Sequence, residues 1–224
     1  MITCLIVGAS RGIGLEFARQ YSEAGDRVFA SFRHPKDGEL LRKLGAQAVE
    51  VDVLQPGWVD SLRQQVGKAK LDVAVVVAGV SGMQTDGLVA PDPADFDKVM
   101  RTNVLVSMQL IPALANGMLA PSGKLAILSS RMGSIGNTSH PSWWLYRASK
   151  AAVNSVLKTA SVELGARGTV CMALHPGWVR TDMGGAEADL SVEESVTSLR
   201  RVIAAANRSH NGRFLKYTGE QMEW

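Results

Sequence analysis

A tyrosine and a lysine four residues apart are the first side chains in this sequence that could do chemistry together. Tyr146 and Lys150 lie at the start of a segment with helical spacing, so we expect them one turn apart on one helix face. A phenol has an ordinary pKa near ~10, and a neighbouring ammonium favours the phenolate. The pair indicates a tyrosine that exchanges a proton with an alcohol or a carbonyl near neutral pH. An ordinary exposed helical pair would have the same spacing.

Two polar positions upstream could complete such a site. Ser129 and Ser130 end an apolar, strand-like run, and open α/β sheets bind ligands at the carboxyl ends of their strands. A serine at that place can also be only a turn former. Asn103 lies inside a long helical pattern, where asparagine is a mediocre helix former. It marks either a local distortion that holds water or a plain surface side chain.

A glycine-rich turn follows the first strand-like run. Thr3–Val7 leads directly into Gly8-Ala9-Ser10-Arg11-Gly12-Ile13-Gly14 and then into a helical segment. Glycines at this spacing allow a tight turn, close approach of a pyrophosphate to the backbone, and close packing of helix on strand. The helix N-terminus offers free N–H groups to phosphates. The turn predicts a dinucleotide site, with a purely structural turn as the alternative.

The end of the second strand distinguishes the two nicotinamide cofactors. NAD sites usually carry Asp or Glu about 20 residues beyond the glycine turn, to hold the ribose 2′-hydroxyl. This sequence has Arg33 at that place, and Arg11 lies within the glycine turn. Two guanidinium groups could hold a 2′-phosphate by charge-assisted hydrogen bonds. We therefore predict NADP(H) in preference to NAD(H), unless both arginines are merely surface residues.

The elements that must position these residues alternate along the whole chain. The candidate strands are Thr3–Val7, Arg27–Phe32, Ala48–Val51, Val73–Val77, Lys124–Ser129, Thr169–Leu174 and Arg213–Tyr217. The segments with helical spacing are Gly14–Ala24, Glu39–Leu44, Trp58–Val66, Phe96–Met118, Ser142–Leu164 and Val192–Ala205. This alternation predicts one α/β domain over residues 1–224, a doubly wound, Rossmann-type sheet of seven parallel strands with helices on both faces.

Composition excludes several other classes of protein. The 24 Lys and Arg exceed the 21 Asp and Glu by only three, and no basic run is longer than Arg200–Arg201, so we expect no nucleic-acid surface. Cys4 and Cys171 both lie in apolar runs, and they are too few for a disulfide framework or a metal cluster. No stretch approaches the ~20 apolar residues that span a bilayer. We expect a soluble, cytoplasmic protein without a metal site.

Together these positions resemble the short-chain dehydrogenase/reductase family, in the right order over essentially the whole chain. The matching motifs are Gly8-x3-Gly12-Ile13-Gly14, Asp52-Val53, Ala78-Gly79, Asn103-Val104, Ser129-Ser130, Tyr146-x3-Lys150 and His175-Pro176-Gly177-Trp178-Val179-Arg180-Thr181. Within the family, residues 129–136, 175–183 and 219–224 are most similar to the C-factor and sniffer-type carbonyl reductase branch.

The resemblance implies a catalytic tetrad of Asn103, Ser130, Tyr146 and Lys150. Tyr146 would be the general acid/base, and Ser130 would hydrogen-bond the substrate oxygen. Lys150 would lower the pKa of Tyr146 and bind the nicotinamide ribose, while Asn103 would anchor a proton-relay water. The separation between Ser130 and Tyr146 is longer than usual in the family, so Ser134 is an alternative catalytic serine.

The resemblance also assigns the remaining cofactor contacts. Asp52 and Val53 would contact the adenine, and Ala78 with Gly79 would line the adenine ribose. After the turn Pro176-Gly177, Val179 and Thr181 would hold the carboxamide and phosphate side. The family's usual Asn-Asn-Ala-Gly reads Val76-Val77-Ala78-Gly79 here, so this turn must be braced in another way.

The implied reaction is NADPH-dependent reduction of an aldehyde or a ketone to an alcohol. The alternative is a cofactor-binding signalling protein of the C-factor type with little turnover. Tryptophan and methionine in the expected pocket favour an apolar or aromatic substrate, although Trp143 and Trp144 could instead fill an interface or the core. The expected pocket walls are Val80–Gln84, Met132, Ile135, Trp143, Trp144, Trp178 and Met183. The resemblance further implies a homodimer or homotetramer, joined through the segments Phe96–Met118 and Ser142–Leu164.

Overall fold

Seven parallel strands form the centre of the protein in a computed structural model that describes residues 1–224. The strands are β1 (Thr3–Val7), β2 (Arg27–Phe32), β3 (Gln47–Glu50), β4 (Leu71–Val76), β5 (Leu119–Leu128), β6 (Val170–His175) and β7 (Arg213–Lys216). Their order across the sheet is β3-β2-β1-β4-β5-β6-β7, and every neighbouring pair is parallel. This confirms the predicted fold. The strand order reverses between β1 and β4, where open α/β sheets form a crevice at the carboxyl ends of their strands.

Helices cover both faces of the sheet. They are α1 (Gly12–Glu23), α2 (Pro35–Lys43), α3 (Trp58–Val66), α4 (Pro93–Met100), α5 (Val106–Ala113), α6 (Trp144–Ala166) and α7 (Val192–Ala205). Alternate residues of β1 enter two separate apolar cores: Leu5 lies in the core under α3, α5 and α6, and Ile6 lies in the core under α1, α2 and α7. Burial on both faces explains why the strands are almost continuously apolar.

The long helical segment predicted over Phe96–Met118 is not one α-helix. It consists of α4, a π-helical turn at Arg101–Leu105, α5, and a second π-helical turn at Leu114–Met118. Pro112 lies inside α5 and has no N–H to donate to the turn before it, which weakens regular helical bonding at this end. The first π turn contains Asn103, so the alternative of a local distortion at this asparagine is the one observed.

Four helix starts also differ from the pattern: α1 begins at Gly12 rather than Gly14 and α4 at Pro93 rather than Phe96, and α2 and α6 differ as well. α2 begins at Pro35, where proline fits a first turn that needs no N–H donor, rather than at Glu39. α6 begins at Trp144 rather than Ser142 because Trp143 has the left-handed backbone conformation, with φ of 62° and ψ of 30°. No helix combines the length and the apolar character that a membrane span requires.

Candidate active site

Three of the predicted catalytic side chains meet at the carboxyl end of β5. The Lys150 ammonium lies 5.6 Å from the centre of the Tyr146 ring and donates a hydrogen bond to the Leu128 carbonyl at 2.8 Å. The Ser130 hydroxyl lies close enough to the Tyr146 phenol to lower the pKa of that phenol. Lys150 is buried, whereas Tyr146 and Ser130 are half-buried. A carbonyl that enters this corner can therefore meet a phenol and a hydroxyl together.

The electrostatics of the pair differ from the expectation that the ammonium makes the phenol acidic. Burial raises the pKa of Tyr146 to about 12, and the neighbouring Ser130 hydroxyl offsets this rise only in part. Burial lowers the pKa of Lys150 to about 8. The Lys150 ammonium is bonded to a main-chain carbonyl and lies against the ring, so it does not stabilise the phenolate enough to overcome desolvation. Tyr146 is consequently a protonated phenol at neutral pH.

The two candidate serines have different surroundings. Ser130 caps the short 3₁₀ turn Arg131–Gly133, because its Oγ accepts a hydrogen bond from the Met132 N–H at 3.1 Å. Ser134 is almost completely buried, and its hydroxyl donates to the Trp224 carbonyl at 3.4 Å. Ser134 Oγ also accepts from the Asn137 side-chain amide at 2.9 Å. Of the two, Ser130 is the serine beside Tyr146.

Asn103 fastens the turn after β4 to helix α6. Its Oδ1 accepts from the Val80 N–H and its Nδ2 donates to the Val80 carbonyl, both at 2.8 Å. Nδ2 also donates to Ser149 Oγ at 2.9 Å, and that hydroxyl donates to the Tyr146 carbonyl at 2.8 Å. The side chain therefore braces the turn in which Val76 and Val77 replace the family's two asparagines.

Gly79 leaves room between two of these groups. A Cβ on Gly79 would lie 3.4 Å from both Asn103 Oδ1 and Lys150 Nζ. A larger side chain here would press on both polar groups at once. The absence of a side chain at Gly79 thus leaves this corner open next to Asn103 and Lys150.

The glycine turn between β1 and α1 depends on the missing side chains of its glycines. Gly8 has a φ of +90°, and a Cβ there would lie 2.7 Å from Ala78 N. A Cβ on Gly14 would overlap the Gly8 carbonyl oxygen. Arg11 precedes the helix and makes no side-chain capping bond, so the first N–H groups of α1 remain available. This bare, positively polarised helix end is suited to a phosphate.

The other predicted cofactor residues line the same edge of the sheet. Arg33 is exposed after β2 and donates from Nε to His34 Nε2 at 3.1 Å, with no carboxylate partner. Asp52 follows β3 and its Oδ1 accepts from the Leu54 N–H at 3.0 Å, which shapes that turn. The adjacent Val53 is half-buried against the core beneath.

The segment after β6 folds back toward the glycine turn. Gly177 has a φ of +86°, and the Pro176 carbonyl accepts from Ser195 Oγ at 2.7 Å. Val179 pairs with Leu190 in a short parallel bridge. Thr181 Cγ2 lies 3.4 Å from the position of a Cβ on Gly12, so this segment lies directly beside the glycine turn.

Large apolar side chains are exposed around this corner. Trp144 is 38% exposed and Trp178 is 51% exposed, so neither belongs to the core. Each indole donates to a main-chain carbonyl at 2.8 Å, Trp144 to Val89 and Trp178 to Gly184. The half-buried Trp143 packs edge-on against Tyr146, with ring centres 6.3 Å apart. The remaining exposed wall residues are Met83, Ile135 and Met183.

Sequence reasoning missed three residues of this region. Ser149 links Asn103 to α6, and its position three residues after Tyr146 was the available signal. Asp182 forms an ion pair with Arg11, 171 residues away, and no sequence pattern connects them. His175 has a buried Nδ1 without a hydrogen-bond partner, and burial together with nearby Arg131 and Lys216 lowers its pKa to about 4.

Comparison with known proteins agrees with this geometry. Residues 3–190 match the short chain dehydrogenase family. The chain is 39% identical to the C-signal of Myxococcus xanthus over 158 residues, which make up 69% of this chain and 93% of that protein. A carbonyl reductase from Pseudomonas aeruginosa PAO1, solved in complex with NADP, is 34% identical with a TM-score of 0.88. The carbonyl reductase Sniffer of D. melanogaster is 25% identical with a TM-score of 0.91. Both structural matches cover each chain in full.

The family match runs from the first residue of β1 to the bridge residue Leu190. The predicted resemblance, including its C-factor and sniffer-type relatives, is confirmed. This chain therefore belongs to the short-chain dehydrogenase family of oxidoreductases.

Proposed function

We propose that the protein is an NADPH-dependent carbonyl reductase, which converts an aldehyde or a ketone to an alcohol. The observation that carries this proposal is the half-buried phenol of Tyr146, which lies beside Ser130 and packs over Lys150 at the edge of the sheet that also holds the glycine turn. Because burial raises the pKa of Tyr146 to about 12, the phenol keeps its proton at neutral pH. A protonated phenol is the form that reduction of a carbonyl requires.

The residues of this edge fit a dinucleotide. A Cβ on Gly8 or Gly14 would collide with the main chain of Ala78 or Gly8, so the close packing of this turn requires both glycines. The start of α1 leaves N–H groups for a phosphate. When bound, NADPH supplies the hydride that reduces the carbonyl carbon. The residues that would hold it are Gly8, Ser10, Arg11, Gly12, Ile13, Gly14, Arg33, Asp52, Val53, Ala78, Gly79, Tyr146, Lys150, Pro176, Gly177, Val179 and Thr181.

The proposed preference for NADP(H) over NAD(H) is based on the residue that follows β2. Arg33 is exposed there without a carboxylate partner, whereas an NAD site needs an acidic side chain for the ribose 2′-hydroxyl. A free guanidinium binds a phosphate in a bidentate manner. The NADP complex of the Pseudomonas reductase supports the same choice.

Each member of the tetrad has a role that follows from its contacts. Tyr146 donates its proton to the substrate oxygen as the π electrons of the C=O bond move onto that oxygen, and a phenolate remains on Tyr146. Ser130 holds the same oxygen through its hydroxyl. The Lys150 ammonium, 5.6 Å from the ring centre, stabilises the phenolate once it forms. Asn103, the expected anchor of a relay water, also holds α6 against the turn after β4.

The substrate that we propose is apolar or aromatic. The expected pocket walls include Trp178, Met183, Met83 and Ile135, whose exposed side chains offer wide apolar and aromatic surfaces. Apolar groups are also exposed on α4, α5 and α6, where Phe96, Met108 and Val162 lie. They support the proposed homodimer or homotetramer through these helices.

Two measurements test the proposal. A ligand that binds only the native state raises the thermal midpoint, so NADPH should raise it more than NADH at equal concentration. Aromatic ketones, quinones and aldehydes should then oxidise NADPH in the presence of the wild-type protein. A Tyr146→Phe variant should keep the thermal shift with NADPH and lose the turnover. An equal or larger shift with NADH, or full turnover by the phenylalanine variant, would overturn the proposal.

The identity of 39% with the C-signal favours a second candidate, a cofactor-binding signalling protein with little turnover. The same Tyr146→Phe variant separates the two. If it abolishes reductase turnover and leaves the biological output intact, the signalling function is supported. If both are lost together, catalysis is the function.

A further inference from the structure

An ion pair joins the glycine turn to the segment after β6. The Arg11 guanidinium contacts the Asp182 carboxylate, and both side chains are largely exposed, at 72% and 76%. The pair follows from the course of the backbone, because the neighbouring Thr181 lies beside Gly12. Arg11 makes no other side-chain hydrogen bond or ion pair.

This contact conflicts with the ligand proposed for Arg11. A guanidinium has five N–H donors in one plane, and the Asp182 carboxylate takes a donor at Nη1 that a phosphate could otherwise use. The Asp182 carboxylate also places a negative charge beside the guanidinium that would receive a 2′-phosphate of about −1.5 to −2 charge. A cofactor without the 2′-phosphate does not compete with Asp182 for Arg11.

We propose that Asp182 is a specificity-determining residue, whose carboxylate competes with the 2′-phosphate of NADP(H) for Arg11. This inference rests on the NADP(H) preference proposed above. Asp182 lowers the affinity for NADP(H) and leaves the affinity for NAD(H) unchanged. It therefore reduces the ratio by which the protein prefers NADP(H) over NAD(H). Arg33, which has no acidic partner, is then the guanidinium that is free before the cofactor arrives.

The change in NADP(H) affinity should be small because Arg11 and Asp182 are both exposed to solvent. An exposed ion pair in water contributes little free energy to binding. Its removal changes a dissociation constant by about 1.5- to 5-fold. Exposed charges are also screened by salt, with a Debye length of ~10 Å at 0.1 M ionic strength. The competition should therefore be clear at low salt and weak at high salt.

The experiment measures binding of two fragments that contain no nicotinamide. Titration calorimetry with 2′,5′-ADP and with 5′-AMP, at about 20 mM and about 500 mM salt, isolates the 2′-phosphate from the chemistry of the active site. Asp182→Asn should bind 2′,5′-ADP about 1.5- to 5-fold more tightly than the wild type at low salt and bind 5′-AMP equally well. Asp189→Asn is the matched control, because Asp189 is an exposed carboxylate of the same segment and forms no ion pair.

A double variant identifies the partner. In an Arg11→Gln background, Asp182→Asn should no longer improve binding of 2′,5′-ADP. If Asp182→Asn binds 2′,5′-ADP as the wild type does, or more weakly, or if Asp189→Asn gives the same gain, the inference is overturned while the cofactor preference stands. If the wild type binds 2′,5′-ADP no better than 5′-AMP, the proposed NADP(H) preference itself fails and the inference fails with it.

Discussion

The buried ammonium of Lys150 predicts a distinctive pH dependence for carbonyl reduction. Its pKa is lowered to about 8 by burial, whereas burial raises the pKa of Tyr146 to about 12. Between pH 6 and 7 both groups carry their protons. As the pH rises through 8, Lys150 loses its charge while Tyr146 is still a phenol. The proton donor therefore remains, but the phenolate left after proton transfer loses its positive neighbour.

The magnitude follows from the distance. If the phenolate charge is placed at the ring centre, 5.6 Å from the ammonium, the two unit charges attract by about 3 kcal/mol with an effective dielectric constant of ~20. That energy corresponds to a factor of about a hundred in rate. The value of kcat/KM should be constant from pH 6 to 7, fall by about tenfold per unit above pH 8, and level off about a hundredfold lower.

The assay follows oxidation of NADPH with one good carbonyl substrate across this range. kcat/KM is the proper quantity, because it reports the groups of the free enzyme. Lys150→Met should show about the same hundredfold loss at pH 7 and no step near pH 8. Lys158→Met is the control on the same helix, since that ammonium donates to the Gly212 carbonyl away from the site. A wild-type rate that stays constant to pH 9.5, or a step that persists in Lys150→Met, would refute the electrostatic role.

Three further predictions concern the surrounding structure. Gly14→Ala would drive a methyl group into the Gly8 carbonyl, so it should lower the free energy of unfolding by about 1–3 kcal/mol in urea titrations and abolish the thermal shift with NADPH. The pKa of His175 is about 4, below its ordinary 6.5, so the unfolded chain binds more protons than the folded protein between pH 6.5 and 4. The free energy of unfolding should therefore fall by up to about 3 kcal/mol over this range. His175→Asn should lose this pH dependence of stability. Trp143→Asn keeps a residue that tolerates the left-handed backbone and removes the ring beside Tyr146, so kcat/KM should fall about two- to tenfold without loss of folding.

The results that would contradict these three predictions are equally specific. Unchanged NADPH binding by Gly14→Ala would mean that the turn can relax around a methyl group. An equal loss of stability in acid for His175→Asn and the wild type would assign that loss to other groups. Full activity of Trp143→Asn would show that the indole has no part in orienting Tyr146.

The parts of the fold and site that depend on local pattern could be predicted from the sequence. Strand–helix alternation predicts the parallel sheet, because both faces of its strands are buried in apolar cores. The spacing of Tyr146 and Lys150 places them on one helix face wherever that helix lies. The glycines after β1 can be recognised because their backbone and packing exclude larger side chains.

The parts that depend on contacts distant in sequence could not be predicted. The raised pKa of Tyr146 results from desolvation, which depends on how the whole corner packs around the phenol. Ser134 is occupied by the carbonyl of Trp224, 90 residues further on, so local sequence could not separate it from Ser130. The pairing of Arg11 with Asp182 is likewise visible only in three dimensions.

The π-helical turn at Arg101–Leu105 has a consequence for how this stretch tolerates insertion and deletion. Each residue of an α-helix advances the side-chain direction by about 100°. Deleting one residue from the turn could restore an unbroken α-helix. Helix propensity alone predicts that this change favours the helix. A π turn takes up one residue more than an α turn, so the deletion would mainly shift the residues within the turn itself, and Asn103 could then no longer face both Val80 and Ser149. The most regular version of this helix would thus be the one least able to support catalysis.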